Sequence, residues 1–267
     1  MVTRVWADHQ AQRRADLRPR RITVVVGIAL VLLMFIPPSR ASAHAGYHWT
    51  GAESTSQRFG AFAYLTVSNP SVPKNTGDHF VARILASEPA GTTACFPGAA
   101  PWIEVGWTEV GWQLDGSGFS LRSIYTYDTT SCQWRLFTQY PIGTGSTINV
   151  RLVPHSSCND QTGPCNWGAQ LWWNGQWLTL TWALLPNTNT SVVVEEFGEI
   201  QNIDTGAHWQ IATSATGNVV PWVQTQLRNQ NGTWSNWTLP VVTIELNTAP
   251  YSTTWHHDWW QFDNFRT

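Results

Sequence analysis

The sequence predicts an all-β chain folded as an antiparallel, two-layer sandwich of jelly-roll type, and three observations predict it. Helical periodicity is nearly absent after residue 44. In its place stand short runs rich in Val, Ile, Thr, Trp and Tyr, cut about every ten residues by Gly, Pro, Asn or Asp, which is the spacing of a sandwich or barrel. Two Asn-Gly pairs, Asn174-Gly175 and Asn231-Gly232, fall between apolar residues where type I′ hairpin turns belong.

The elements follow in chain order. Residues 1–21 hold six arginines, residues 22–36 form an uncharged apolar run, and Ala41-Ser42-Ala43 supplies a small-x-small cleavage site. The run is shorter than the ~20 residues of a bilayer span, so residues 1–43 are predicted to be a cleaved secretory signal. That implies a secreted, extracellular protein with no stable membrane association after cleavage. Residues 44–267 then make one β-sandwich domain. Residues 205–267 are richer in Thr, Asn and Gln and are open to being an appended β segment. Strands are expected at 61–67, 79–86, 101–110, 123–128, 134–140 and 147–153, then at 169–173, 176–185, 191–201 and 241–246. Each is a β-branched or aromatic run bounded by turn residues.

Composition excludes several classes. Seven basic and two acidic residues precede residue 44, leaving eight basic against fifteen acidic side chains, with Lys74 the only lysine. Such a chain has no electrostatic footprint for nucleic acid or an anionic membrane. Four cysteines in an exported chain predict two disulfides. Of the three possible connectivities, Cys158 with Cys165 is preferred because it closes the polar loop CNDQTGPC, leaving Cys95 with Cys132. Neither spacing is that of a zinc site, and no cofactor or metal is predicted. His256 and Asp258 share one strand face while His257 points away, giving at most two ligands locally. An N-terminal copper-binding His44 is disfavoured because Ala43-His44-Ala45 is itself a cleavage site.

Seventeen tryptophans follow residue 43, more than a core of this size hides with every indole N–H satisfied. The remainder is expected to line an aromatic groove suited to an extended peptide or a glycan. Trp102, Tyr125, Tyr127, Trp172, Trp173 and Glu195 are its candidate binding residues.

Strand alternation sorts the carboxylates. In WIEVGWTEVG, Trp102, Glu104, Gly106 and Thr108 share one face, and Ile103, Val105, Trp107 and Glu109 the other. Glu104 and Glu109 are therefore not partners. Ile103 and Val105 mark the buried face, which puts Glu104 toward the groove, with room beside Gly106 for a ligand backbone, and leaves Glu109 without a functional role. In VVVEEFGEIQN, Glu195 and Glu199 share a face with Val193, Phe197 and Gln201, opposite Glu196. A carboxylate on a valine-rich strand is costly to bury unless paired or protonated, which points to function.

WIEVGW, YTYDTTSC, LWWNGQW and FGEIQN occur in the order found in the neprosin family of secreted glutamic peptidases, which the chain resembles over residues 100–202. Members carry an I-E-A-G-W strand, a Y-W/T-G-C segment, a W-W hairpin and an F-G-G-E-I-x-N strand on a β-sandwich. The resemblance implies a catalytic pair at Glu104 and Glu199, and proline-directed cleavage. Phe197 stands where the family has its first glycine, and Glu196 lies close enough to compete with Glu199. Two facing carboxyls share a proton: one activates a water, the other donates to the carbonyl oxygen or leaving amine, and activity peaks in acid. Two alternatives stay open. A two-carboxylate glycoside hydrolase has the same layout, although the E-x-D-x-x-E strand of laminarinase-like sandwiches is missing. A non-catalytic carbohydrate- or peptide-binding sandwich has the same groove.

Overall fold

The computed structural model describes residues 47–54, 58–89, 91–158, 163–186, 193–201, 219–237, 241–246, 251–257 and 261–266; the predicted signal segment and His44 lie outside them. Every helix or strand among these residues is a strand: β1 (Tyr47–Ser54), β2 (Ala61–Thr66), β3 (His79–Ser87), β4 (Trp102–Leu114), β5 (Ser120–Asp128), β6 (Gln133–Phe137), β7 (Thr147–Pro154), β8 (Cys165–Trp173), β9 (Gln176–Leu185), β10 (Val193–Gln201), β11 (Val219–Arg228), β12 (Trp234–Asn236), β13 (Val241–Leu246), β14 (Tyr251–His257) and β15 (Gln261–Arg266). They pair into two antiparallel sheets, as the pattern predicts. The first runs β13-β1-β10-β3-β4-β5-β6; the second runs β14-β15-β11-β2-β7-β8-β9, with β12 beside β11.

Period-two alternation builds the core. Phe80, Ile84, Ile103, Val105, Trp107 and Ile124 from the first sheet form one cluster with Leu65, Val150, Leu152, Trp167 and Leu171 from the second. Alanines at 61, 63, 82, 86 and 169 belong to the same cluster. Their small side chains leave volume for the fully buried Trp107 and Trp167, so the two layers interdigitate at interior density. Phe80 packs on Trp107 at 4.9 Å between ring centroids.

All ten predicted strands are present, β9 and β13 with the predicted ends and the others with one or both ends shifted. Five more lie outside the ten predicted runs: β1, β11, β12, β14 and β15. β1 carries Gly51 and β11 carries Pro221, two residues that weaken a strand reading; pairing from both sides overrides that local preference. Of the strands after residue 205, β13 pairs at the edge of the first sheet, while β11, β12, β14 and β15 belong to the second.

The two Asn-Gly turns differ. Asn174 (φ 49°) and Gly175 (φ 83°) are both left-handed, which is the type I′ hairpin expected between β8 and β9. At the second site only Gly232 has positive φ (85°), and Gly232 N–H donates to Asn229 O at 2.9 Å. That is a three-residue loop ending in a left-handed glycine, so the expected I′ turn is corrected: β11 and β12 pair only to Arg228↔Trp234, leaving too many residues for a two-residue turn.

Both disulfides form as preferred, Cys95–Cys132 and Cys158–Cys165. The first ties the loop between β3 and β4 to the β5–β6 turn. That turn is also held by Asp128, which accepts from Ser131 N–H at 2.7 Å and pairs with Arg135 at 2.6 Å.

Candidate functional site

The site is built on the face of the first sheet turned away from the core. Strand register fixes which residues meet there, because directly paired residues of antiparallel strands share a face. One row runs Tyr127, Glu104, Leu85, Glu195, Glu53; the next runs Tyr125, Gly106, Arg83, Phe197, Gly51; the third runs Ser123, Thr108, Val81, Glu199, Trp49. Glu104 on β4 and Glu199 on β10 thus flank β3, and Arg83 on β3 lies at the midpoint of the diagonal joining them. From the usual strand spacing and rise, their Cα atoms are about 16 Å apart, and those of Glu104 and Glu195 about 10 Å. Glu196 pairs with Ile84, a core residue, and so falls on the opposite face.

Glu104 has no solvent-accessible surface. Its Oε2 lies 2.5 Å from Arg83 Nη1, and both side chains are almost fully enclosed. Full burial pushes the Glu104 pKa above the ordinary carboxyl value, opposed by the Arg83 charge and by hydrogen bonds from Arg83, Tyr125 and Trp102. The desolvation of a buried pair is severe, which makes Arg83 indispensable to Glu104.

Aromatic rings cover this pair. Trp102 stacks on Phe96 at 5.2 Å with planes 12° apart, and Tyr125 stacks on Trp134 at 4.6 Å and 16°. Tyr127 lies 6.1 Å from both Trp102 and Trp134. His79 closes the far end between Trp112 (5.3 Å) and Trp134 (5.2 Å). Burial holds its imidazole neutral, lowering its pKa to about 3, with Arg83 acting in the same direction and a bond to Gly77 O opposing.

Two expectations change here. The room beside Gly106 is not for a ligand: a Cβ there would overlap the Ala82 carbonyl oxygen and crowd Arg83 Cα, so glycine is required by the close approach of β3 itself. The five candidate aromatics also do not form one groove. Trp102 and Tyr125 are buried over Glu104 with Tyr127 half-buried beside them, whereas Trp172 and Trp173 are on the second sheet. Being consecutive in a strand they face opposite ways: Trp172 is exposed on the outer face, and Trp173 packs against the core beside Tyr140.

Glu109 is on the core face, as alternation predicts, but it has an electrostatic role. Its side chain is 7 % exposed and pairs with Arg122 at 2.6 Å. Arg122 also donates to Thr144 and Asn69. The pair borders a pocket of about 700 Å³ whose wall includes Pro70, Phe119, Leu121, Tyr140 and Ile142. Burial raises the Glu109 pKa to about 7 against the pull of Arg122 and a backbone hydrogen bond from Val72. The folded chain therefore keeps a proton that the unfolded chain releases between about pH 4.5 and 7, and stability falls as pH rises through that window. Relative to Glu109→Gln, the wild type is expected to lose on the order of 3 kcal/mol between pH 4.5 and pH 7, read from urea unfolding at the two pH values. A constant difference between the two proteins refutes the assignment.

Arg83 and His79 are basic residues of this face that the sequence reading passed over, along with the covering rings of Phe96, Trp112 and Trp134. The signal was present in HFVARILAS, where one cation stands in an otherwise apolar strand; the cost argument applied to the glutamates applies equally to it. Among the described residues no group of His, Cys, Asp or Glu has the arrangement of a metal site. No protein-family model matches the chain, and no curated protein matches it significantly.

Proposed function

We propose that the chain is a secreted, acid-active endopeptidase of the glutamic type, with Glu104 and Glu199 as its catalytic carboxyls. The observation that carries this reading is the shared face: strand register brings the two glutamates singled out by the neprosin-like motifs to the same side of one sheet, on either side of Arg83. Glu104, whose burial favours the protonated form, is the proton donor. Glu199 takes a proton from water as the water oxygen attacks the peptide carbonyl carbon. The Glu104 proton passes to the carbonyl oxygen and then to the leaving amine, and Arg83 stabilises the carboxylate left behind. Because Glu104 is fully covered, substrate reaches it by displacing part of the Trp102, Tyr127 and Trp134 cover. Export is supported by the two disulfides.

One observation favours a second reading, a non-catalytic binding sandwich: the Arg83–Glu104 pair has the enclosure of a structural ion pair. Incubation of the mature chain with denatured protein and with a glycan panel at about pH 3–5, around ordinary carboxyl pKa values, separates the readings. Peptide-bond cleavage that declines toward neutrality supports the peptidase. Glycan cleavage alone, or no cleavage of either class, rejects it.

A further inference from the structure

The outer face of the second sheet carries an arrangement unrelated to Glu104. Gly168 on β8 pairs with Trp182 on β9. A Cβ on Gly168 would lie 2.8, 3.0 and 3.1 Å from three consecutive atoms of the Trp182 six-membered ring. Such nearly equal distances arise only when the ring lies face down on the glycine; an edge-on ring would leave its flanking atoms distinctly farther away. Trp182 is nevertheless 43 % exposed, so its other face is open to solvent. His155 meets it edge-to-face at 4.9 Å and holds it in place.

Four residues along β8, a run of about 13 Å, Trp172 is 39 % exposed and packs against Trp177 at 5.3 Å. Midway between the two tryptophans lies a polar row. Arg151 Nε donates to Gln170 Oε1 at 2.6 Å, Gln170 Nε2 donates to Thr179 Oγ1 at 3.0 Å, and the Arg151 guanidinium lies 4.1 Å from the centre of the Trp177 ring. Gln170 is 9 % exposed and locked at both ends, so the cation is held rigidly.

The charge on this face is one-sided. Among residues whose side chains are described, the second sheet carries Arg151 and Arg228, close enough to act on each other, and no Asp or Glu. The chain as a whole is acidic, with seventeen acidic against fifteen basic residues. Ring, cation with hydrogen-bonding amide, then ring again is the chemistry that recognises a row of sugars, because the C–H face of a pyranose packs on an indole and its hydroxyls meet fixed polar groups. The cations select an acidic sugar.

We propose that this face binds an acidic polysaccharide lying along β8 and β9, with one pyranose stacked on Trp182, the chain continuing toward Trp172, and a uronate carboxylate meeting Arg151. The site tethers the chain to such a polysaccharide without taking part in bond cleavage, and it does not depend on the peptidase reading.

Affinity electrophoresis of the full mature chain in gels containing polygalacturonate, with neutral xylan in parallel, tests this at neutral pH. Retardation in polygalacturonate is expected, weakening at least tenfold in Trp182→Ala and losing most of its salt dependence in Arg151→Gln. Trp182 is 43 % exposed and lies outside the core cluster, so its alanine variant should stay folded at the assay temperature, read by circular dichroism; a folded variant ties lost binding to lost contact. No retardation by polygalacturonate, equal retardation by xylan, or undiminished binding by a folded Trp182→Ala overturns the proposal.

Discussion

Arg83→Met is expected to destabilise the chain by about 3–5 kcal/mol at neutral pH, because it strands the Glu104 carboxylate with no counter-charge in a fully enclosed site. Met fills much of the volume of the arginine stem, so the loss reports charge rather than a cavity. The loss should shrink as pH falls, because burial favours the protonated form of Glu104 and protonation removes the uncompensated charge. The double variant Arg83→Met/Glu104→Gln should recover part of it, since neither residue is then charged. Urea unfolding of the four proteins of this cycle, at pH 7 and pH 4, checks all three statements. A pH-independent loss, or strictly additive single effects, would mean that the pair is not coupled as its geometry indicates.

Replacing Cys95 and Cys132 together by serine should cost about 4 kcal/mol, the loop-entropy value for a closed segment of 37 residues. Replacing Cys158 and Cys165, which enclose only 7, should cost about 2 kcal/mol. The first loss carries a local consequence as well. Cys95 adjoins Phe96, whose ring stacks on Trp102 above Glu104. Trp102 is itself fixed by Thr129, whose Oγ1 accepts from its backbone N–H at 2.8 Å. Freeing the loop therefore loosens the aromatic cover, and the quenchable share of the tryptophan fluorescence should rise with a neutral quencher under native conditions. Equal costs for the two disulfide variants, or unchanged quenching in the first, would contradict this picture.

The sheets were legible because alternation at period two is a geometric necessity. It separated Glu104 from Glu109 and put Glu196 on the face opposite Glu195 and Glu199; that this opposite face is the core side depends on its pairing with Ile84. The same rule, applied to the consecutive Trp172 and Trp173, forbids their sharing a groove, and the structure has them on opposite faces of β8. Long-range pairing was not legible. Nothing local in HFVARILAS says that Arg83 will stand between two glutamates that lie 21 and 116 residues further along the chain; that depends on β10 lying beside β3. Likewise, Glu109 looked idle because its partner, Arg122, comes from the next strand and its pocket from three separate loops. Gly106 was read for the space it offers, yet backbone crowding from β3 uses that space. Only pairing reveals which of the two a strand glycine serves.

The pH responses of Glu109 and His79 oppose each other. Glu109 makes the fold more stable as pH falls from about 7 to its ordinary value near 4.5. His79, with a pKa lowered from 6.5 to about 3, makes it less stable over the range between those values, because the unfolded chain gains a proton that the folded chain refuses. Between about pH 4.5 and 6.5 the two largely offset, which keeps the fold available in mild acid, where paired carboxyls are expected to work.

The most direct measurement is initial-rate peptide hydrolysis at about pH 4 by wild type, Glu104→Gln, Glu199→Gln and Glu195→Gln, each shown by circular dichroism to be folded. Each catalytic amide variant should lose at least ~10²-fold in kcat, the usual scale for removing a general acid or base, while Glu195→Gln changes KM more than kcat. Full activity in folded Glu104→Gln, or a kcat loss at Glu195 in place of Glu199, would contradict the assignment of the pair.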